Sequence, residues 1–291
     1  MNKKYIATVG AVVVSFAVSV ATSHAAVISQ PGESMGVALG APLPEGVFAV
    51  DLESYGKADG AANRIGVNIP LIAWSTPWSF MGSRLEVLYA APFTHIDGSG
   101  PGALNRVDAY SQALLIGLAH DFGNGFNFGV FAGPRPEDNF LNASRGVGAD
   151  IRASLSYVAN GYDATLTFAY SGNFGGVNKL AALGVAFDDN IYIDYTFTKH
   201  FDKLEVGIVG FAQTDIGGPI AAHPGSIAIG GLVGYDFGPV TVQGMVTREV
   251  AARGVGGWEG LGSKKDTRGW LRLIVPLYVA PKPVAPVVAR Y

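Results

Sequence analysis

Between residues 240 and 250, Val240, Val242, Gly244, Val246 and Val250 fall on one side of a two-residue repeat, and Thr241, Gln243, Met245, Thr247 and Glu249 on the other. A period of two marks a strand, whose successive side chains point to opposite faces. The repeat returns along the chain. Ile151, Ala153, Leu155 and Tyr157 alternate with Asp150, Arg152, Ser154 and Ser156; Tyr162, Ala164, Leu166 and Phe168 alternate with Asp163, Thr165 and Thr167; Leu271, Leu273, Val275 and Leu277 alternate with Trp270, Arg272 and Ile274. Read this way, the chain places strands at 46–55, 63–73, 80–92, 106–120, 126–132, 145–158, 162–171, within 179–198, and at 203–213, 226–237, 240–250 and 268–278. That makes twelve, or fourteen if 179–198 holds two strands and 34–41 adds one.

Several of these strands run ten residues or more, beyond the usual five or six of globular sheets and close to the 9–11 that a tilted strand needs to cross a bilayer. Short links at 121–125, 159–161 and 237–239 alternate with longer ones at 94–105, 133–144, 214–225 and 251–267, the loop asymmetry of outer-membrane barrels. Two apparent tight turns, Asp188-Asp189-Asn190 and His200-Phe201-Asp202, break that parity. Trp74 and Trp78 flank an expected turn at Thr76-Pro77, and Tyr89, Tyr157, Tyr170, Tyr195, Tyr235 and Tyr278 fall at or near expected strand ends, where amphipathic rings meet the membrane interface. A sheet in lipid has to close so that no edge is left unpaired. The pattern therefore predicts an all-β fold, a transmembrane antiparallel β-barrel of about 12 strands. Its rival is a soluble periplasmic β-sandwich that binds a ligand, with the polar faces turned to water.

Composition favours the barrel. Charged residues make up 15% and hydrophobic ones 49% of the chain, against about 25% charged in ordinary soluble domains, and the mean hydropathy is +0.28. Only residues 6–21 approach a helical membrane span. They follow Lys3 and Lys4 and precede Ser23-His24-Ala25, so residues 1–25 read as a signal peptide cleaved between Ala25 and Ala26. Cleavage leaves 266 residues carrying 18 basic and 23 acidic side chains. With no basic run there is no footprint for nucleic acid, and with no Cys there is no disulfide framework. The expected organisation is an N-terminal extension (26–45) that either plugs the lumen or lies in the periplasm, a barrel (46–278), and a tail (279–291) whose Pro281, Pro283 and Pro286 cannot donate to a ladder.

Catalytic chemistry finds little footing. In 257–264 Ser263 precedes Lys264, inverting the order of a phosphate-binding loop, and His95, His120, His200 and His223 lack zinc-ligand spacing. No metal, cofactor or catalytic residue is expected, although a barrel enzyme acting on lipids stays open as an alternative because a Ser–His–acid site assembles from distant positions. The informative set is the charges that alternation turns inward: Arg84, Glu86, Asp150, Arg152, Asp194, Glu205, Glu249 and Arg272. Opposite signs at i and i+2, as in Arg84/Glu86 and Asp150/Arg152, suggest ion-pair ladders that brace the lumen or leave a wet path of mixed charge.

The run from Lys203 through Glu205, Gly207, Gly210 and Phe211 to Asp215, the block holding Gly234-Tyr235-Asp236-Phe237-Gly238 and Arg248-Glu249-Val250, and the closing Arg268-Gly269-Trp270-Leu271-Arg272-Leu273 resemble the outer-membrane family associated with the meta-cleavage pathway of phenol degradation. The likeness is clearest over the last third of the chain. It implies a roughly twelve-stranded outer-membrane channel for aromatic or other small hydrophobic compounds and brings no catalytic residues. The combined expectation is a monomeric bacterial outer-membrane barrel for passive uptake of such molecules. Its partners would be outer-membrane lipid, the solutes and the barrel-assembly machinery.

Overall fold

A computed structural model describes residues 30–61, 63–99, 105–109, 112–138, 144–178, 189–216, 225–253 and 265–281. The expected signal peptide, residues 26–29, the 257–264 loop and most of the Pro-rich tail lie outside the described residues. Fourteen strand segments follow one another: β1 (Gly46–Ala58), β2 (Asn63–Phe80), β3 (Ser83–Ala90), β4 (Phe93–Gly98), β5 (Asn105–Ala109), β6 (Ala113–Gly123), β7 (Phe126–Asp138), β8 (Ser144–Ala159), β9 (Tyr162–Asn178), β10 (Asp189–Phe201), β11 (Leu204–Ile216), β12 (Gly225–Asp236), β13 (Thr241–Arg253) and β14 (Asp266–Val279). Each pairs antiparallel with its neighbours, and β1 pairs with both β14 and β2, so the sheet closes. β3 and β4 form one wall strand broken at Ala91-Pro92, and β5 and β6 form another. The molecule is therefore a closed barrel of twelve antiparallel strands, as the alternation implied.

Turn chemistry fixes the end with short connections. Asn160 and Gly161 take φ of 55° and 74°, and Met81 and Gly82 take 50° and 78°. Both central residues are left-handed, as the two-residue turn that matches strand twist requires, and glycine adopts that conformation without penalty. The links expected at 94–105 and 133–144 begin as strand, in β4 and in the end of β7, and two expected turns change. β2 does not turn at Thr76-Pro77 but continues to Phe80, with an irregularity between Ser75 and Ser79 that absorbs a proline unable to donate to the ladder. Of the expected turn Asp188-Asp189-Asn190, Asp188 lies outside the described residues, and Asp189 and Asn190 are in a strand, paired with Ile216 and Asp215. Among the described residues the 179–198 region contributes one strand.

Sidedness follows the alternation. Val246 is 62% exposed, whereas its neighbour Thr247 is buried in the barrel and accepts a hydrogen bond from Trp270 Nε1 at 2.9 Å. Ile151, Leu155, Leu166, Phe168, Ile208, Val233 and Leu271 also face outward and exposed, forming an apolar belt too extensive for a surface in water. At the short-turn end, Phe126 packs on Tyr157 at 5.0 Å, Tyr235 on Phe237 at 4.7 Å, and Lys199 sits over Tyr162 at 3.7 Å. This is an aromatic girdle. Tyr195 departs from it: it lies mid-strand across Gly210 and donates to the Ala228 carbonyl at 2.8 Å. A soluble sandwich is ruled out, because one closed sheet presents its apolar face outward.

Candidate functional site

The inner surface of the barrel has two chemically distinct halves. On β1, β2, β3 and β6 a group of inward positions is apolar: Phe48, Leu52, Ile69, Ala73, Leu88 and Leu115 are buried there. On β8, β9 and β10 hydroxyls and acids prevail: Ser154, Ser156, Thr165, Thr167, Asp194 and Thr196 are buried there. Residues 30–45, which precede β1, thread through the lumen and bond to the polar half. Asp194 accepts from Gly32 N at 2.7 Å, Ser34 N at 2.9 Å and Ser34 Oγ at 2.7 Å. Thr196 accepts from Gly36 N at 2.7 Å, Ser156 accepts from Gly40 N at 3.1 Å, and Gln243 donates to Gly36 O at 2.8 Å. Lower down, Glu86 accepts from Leu43 N at 2.7 Å and Ser75 Oγ donates to Leu43 O at 3.0 Å. Of the two locations open for the N-terminal extension, its described part occupies the lumen.

This plug has no room for larger residues at its closest approaches. A Cβ on Gly36, whose φ is +72°, would lie 2.5 Å from Leu232, and one on Gly40 would lie 2.8 Å from the Ser154 carbonyl. The opposite face of the plug carries Val37, Leu39 and Leu43, and between these and the apolar half of the wall lies a cavity of about 150 Å³. Its walls are Phe48, Val50, Leu52, Ile69, Leu71, Ala73, Leu88, Ala90, Ala113, Leu115 and Ile274, with Glu33, Ser34, Arg152 and Arg272 along one side. An engineered aliphatic cavity of about this volume stays dry and binds benzene.

The wall is interrupted beside the cavity. The β3–β6 ladder ends at Ala90 and Ala113, both of which line the cavity, and pairing resumes in β4–β5 at Phe93 and Ala109. Between Ala90 and Phe93, Ala91 donates to Pro70 O at 3.0 Å and Pro92 has no N–H to give. On the other flank β6 pairs with β7 only up to Ile116–Ala132. Above that point β7 pairs with β8 alone, and among the described residues no ladder joins β5 to β7. Among the described residues, then, the backbone ladder is interrupted above the cavity.

All eight sequence-expected charges lie on the inward face. Glu86, Asp150, Asp194, Glu205, Glu249 and Arg272 are buried, Arg152 is nearly so, and Arg84 is half-buried at the rim, 3.4 Å from Glu45. Only one of the suggested i, i+2 ladders forms: Arg152 Nη2 lies 3.2 Å from Asp150 Oδ2 and also pairs with Glu33 of the plug. Arg84 pairs with Glu45 and donates to the Thr76 carbonyl at 2.8 Å, while Glu86 is occupied by Leu43 N. Glu205 accepts from Gln243 at 2.8 Å and Glu249 from Asp266 N at 2.7 Å. The charges thus hold the plug and brace the strands.

Sequence reading missed the most buried ion pair among the described residues. Arg135 is wholly enclosed, 3.1 Å from Asp150 and 2.6 Å from Ser171 Oγ. It sits between Pro134 and Pro136 in a segment read as loop; β7 keeps these prolines because it has a ladder partner on one side only there. Arg268, which donates to Ser54 Oγ at 3.2 Å and to Ile65 O at 3.1 Å, also escaped, although its i, i+2 spacing with Asp266 was available. Of catalytic arrangements, Ser83 Oγ and His120 Nδ1 lie 3.2 Å apart at the turn end. Among the described residues no carboxylate hydrogen-bonds the other ring nitrogen, and no His/Cys/Asp/Glu cluster suited to a metal is present.

Comparison with known proteins fits this architecture. The chain superposes on an outer membrane channel of Pseudomonas putida F1 with a TM-score of 0.60 at 13% identity, covering 85% of this chain and 99% of the other. It also matches the β domain of the Bordetella autotransporter BrkA (TM-score 0.48, 11% identity, 79% of this chain and 99% of the other) and the CymD monoaromatic hydrocarbon channel (0.47, 9%, 81% and 90%). No curated protein matches. The sequence model of one family, described as "Putative MetA-pathway of phenol degradation", matches residues 44–262. That match spans most of the barrel, and the chain belongs to this family.

Proposed function

We propose that the protein is a bacterial outer-membrane channel for passive uptake of small hydrophobic or aromatic molecules, and that it catalyses no reaction. The observation that carries this reading is the aliphatic cavity of about 150 Å³ inside a barrel whose exterior suits lipid. A hydrated pore for polar solutes would not place Leu52, Ile69, Leu88 and Leu115 on its inner wall, because apolar surface favours a partner other than water. Family membership and the fold of the P. putida channel support the reading. The stretch between β5 and β7, where no ladder is described, is the place for a sideways path from the bilayer to the cavity, and movement of the plug gives a path out to the periplasm. The eight inward charges serve as lumen-lining and plug-holding groups, and the barrel works as a monomer inserted by the barrel-assembly machinery after signal cleavage at Ala25-Ala26.

The test is uptake of radiolabelled toluene at limiting concentration by cells carrying the wild type or Leu88→Trp, a change that fills the cavity. The variant should insert normally, as judged by heat-modifiable gel mobility, yet take up toluene no faster than cells without the protein. Unchanged uptake by a correctly folded variant would reject the cavity as the route.

A further inference from the structure

Arg272 is out of place in a purely hydrocarbon-binding chamber. Its side chain is 1% exposed and lines the apolar cavity, and among the described residues no carboxylate lies within ion-pair distance of it. Its contacts are the Met35 carbonyl, the Glu33 carbonyl at 2.6 Å and Gln243 Oε1 at 3.1 Å. The carboxylates whose charge reaches it, Asp194, Glu205 and Glu33, are hydrogen-bonded to other groups. Asp194 caps the plug turn, Glu33 is held by Arg152 and by Tyr192 Oη at 3.0 Å, and Gln243 stands between Arg272 and Glu205. A buried guanidinium without a contacting counter-charge is costly. An anion that reaches it gains charge-assisted, two-pronged hydrogen bonds.

From this we infer that the preferred occupant of the cavity is an amphipathic anion, a monocarboxylate with a compact apolar body such as an aromatic acid, and that Arg272 determines this preference. The apolar body packs against Leu52, Ile69 and Leu88, and the carboxylate docks on Arg272 in place of the two plug carbonyls. Because those carbonyls belong to Glu33 and Met35, binding also removes one of the attachments of the plug. The inference rests on the cavity being the ligand site proposed above and adds the chemical class of its ligand.

The test uses the mature protein in lipid nanodiscs and calorimetric titration with benzoate, its neutral isostere benzamide, and toluene. Wild type should bind benzoate at least tenfold more tightly than benzamide. Arg272→Met should weaken benzoate by about ten- to a hundredfold, the range for hydrogen bonds to a charged group, while leaving toluene unchanged. Arg272→Lys keeps the charge and loses the fork, so it should restore part of the benzoate affinity; it also serves if the Met variant fails to fold. As a second readout, benzoate and not toluene should speed thiol labelling of Met35→Cys, since Met35 is wholly buried and the chain has no other Cys. If toluene binds and benzoate binds no better than benzamide, or if benzoate affinity ignores both substitutions, the inference falls while the channel reading stands. If none of the three binds wild type, the cavity reading itself fails.

Discussion

Asp194→Ala is the most direct perturbation of the plug. In the wild type this carboxylate accepts three hydrogen bonds from residues 32 and 34, at 2.7, 2.9 and 2.7 Å. Hydrogen bonds to a charged group contribute roughly 1.5–3 kcal/mol each, so the gross loss is about 5–9 kcal/mol. Much of it is recovered: the freed N–H groups can rehydrate in the lumen, and Gly36, Gly40 and Leu43 keep their own contacts with Thr196, Ser156 and Glu86. A net shift of about 3 kcal/mol in the plug-opening equilibrium remains, which is about a hundredfold in population. Met35→Cys reports it, because a buried thiol reacts only from the open state and its labelling rate follows the opening constant. Asp194→Ala in that background should label about a hundredfold faster, while Arg248→Ala, which removes an exposed pair with Asp59 at 2.6 Å far from the plug, should not. Equal rates in the two variants would refute the assignment of Asp194 as the main anchor.

Val246→Arg puts a charge on the lipid face and should cost about 2–4 kcal/mol near the bilayer midplane, seen as impaired refolding into vesicles by heat-modifiable mobility. Arg135→Met strips the enclosed Asp150 of its closest cation and should destabilise the barrel by about 3–5 kcal/mol, moderated by Arg152 on the other carboxylate oxygen; urea unfolding in lipid measures it. N-terminal sequencing of envelope-extracted protein should begin at Ala26, and an intact Met1 would reject cleavage after Ala25.

The barrel was legible because its rule is local: every second residue faces lipid, so β13 and β14 declare their sidedness residue by residue. The same rule turned all eight expected charges inward. It says nothing of pairing across the lumen, which is why Arg84 and Glu86, neighbours in sequence, proved to have separate partners. Pro134 and Pro136 hid the outer half of β7, since a proline in a strand is acceptable only where a ladder is missing, and that absence is a property of the neighbouring strand. The plug was illegible for a related reason. Residues 30–45 have no periodicity of their own, being held by side chains 24 to 239 positions away. The cavity follows from the plug, because Leu39 and Leu43 become a wall only once the polar half of the barrel has bound the other side of the segment.

The occupant of the cavity is seen most directly in a crystal structure of the protein exposed to bromobenzene, with the bromine located by its anomalous scattering. One dominant site is expected inside the barrel, enclosed by Leu52, Ile69, Leu88 and Leu115 and facing Val37 and Leu39 of the plug. Bromine found only on the outer belt, or no ordered bromine at a saturating concentration, would contradict it.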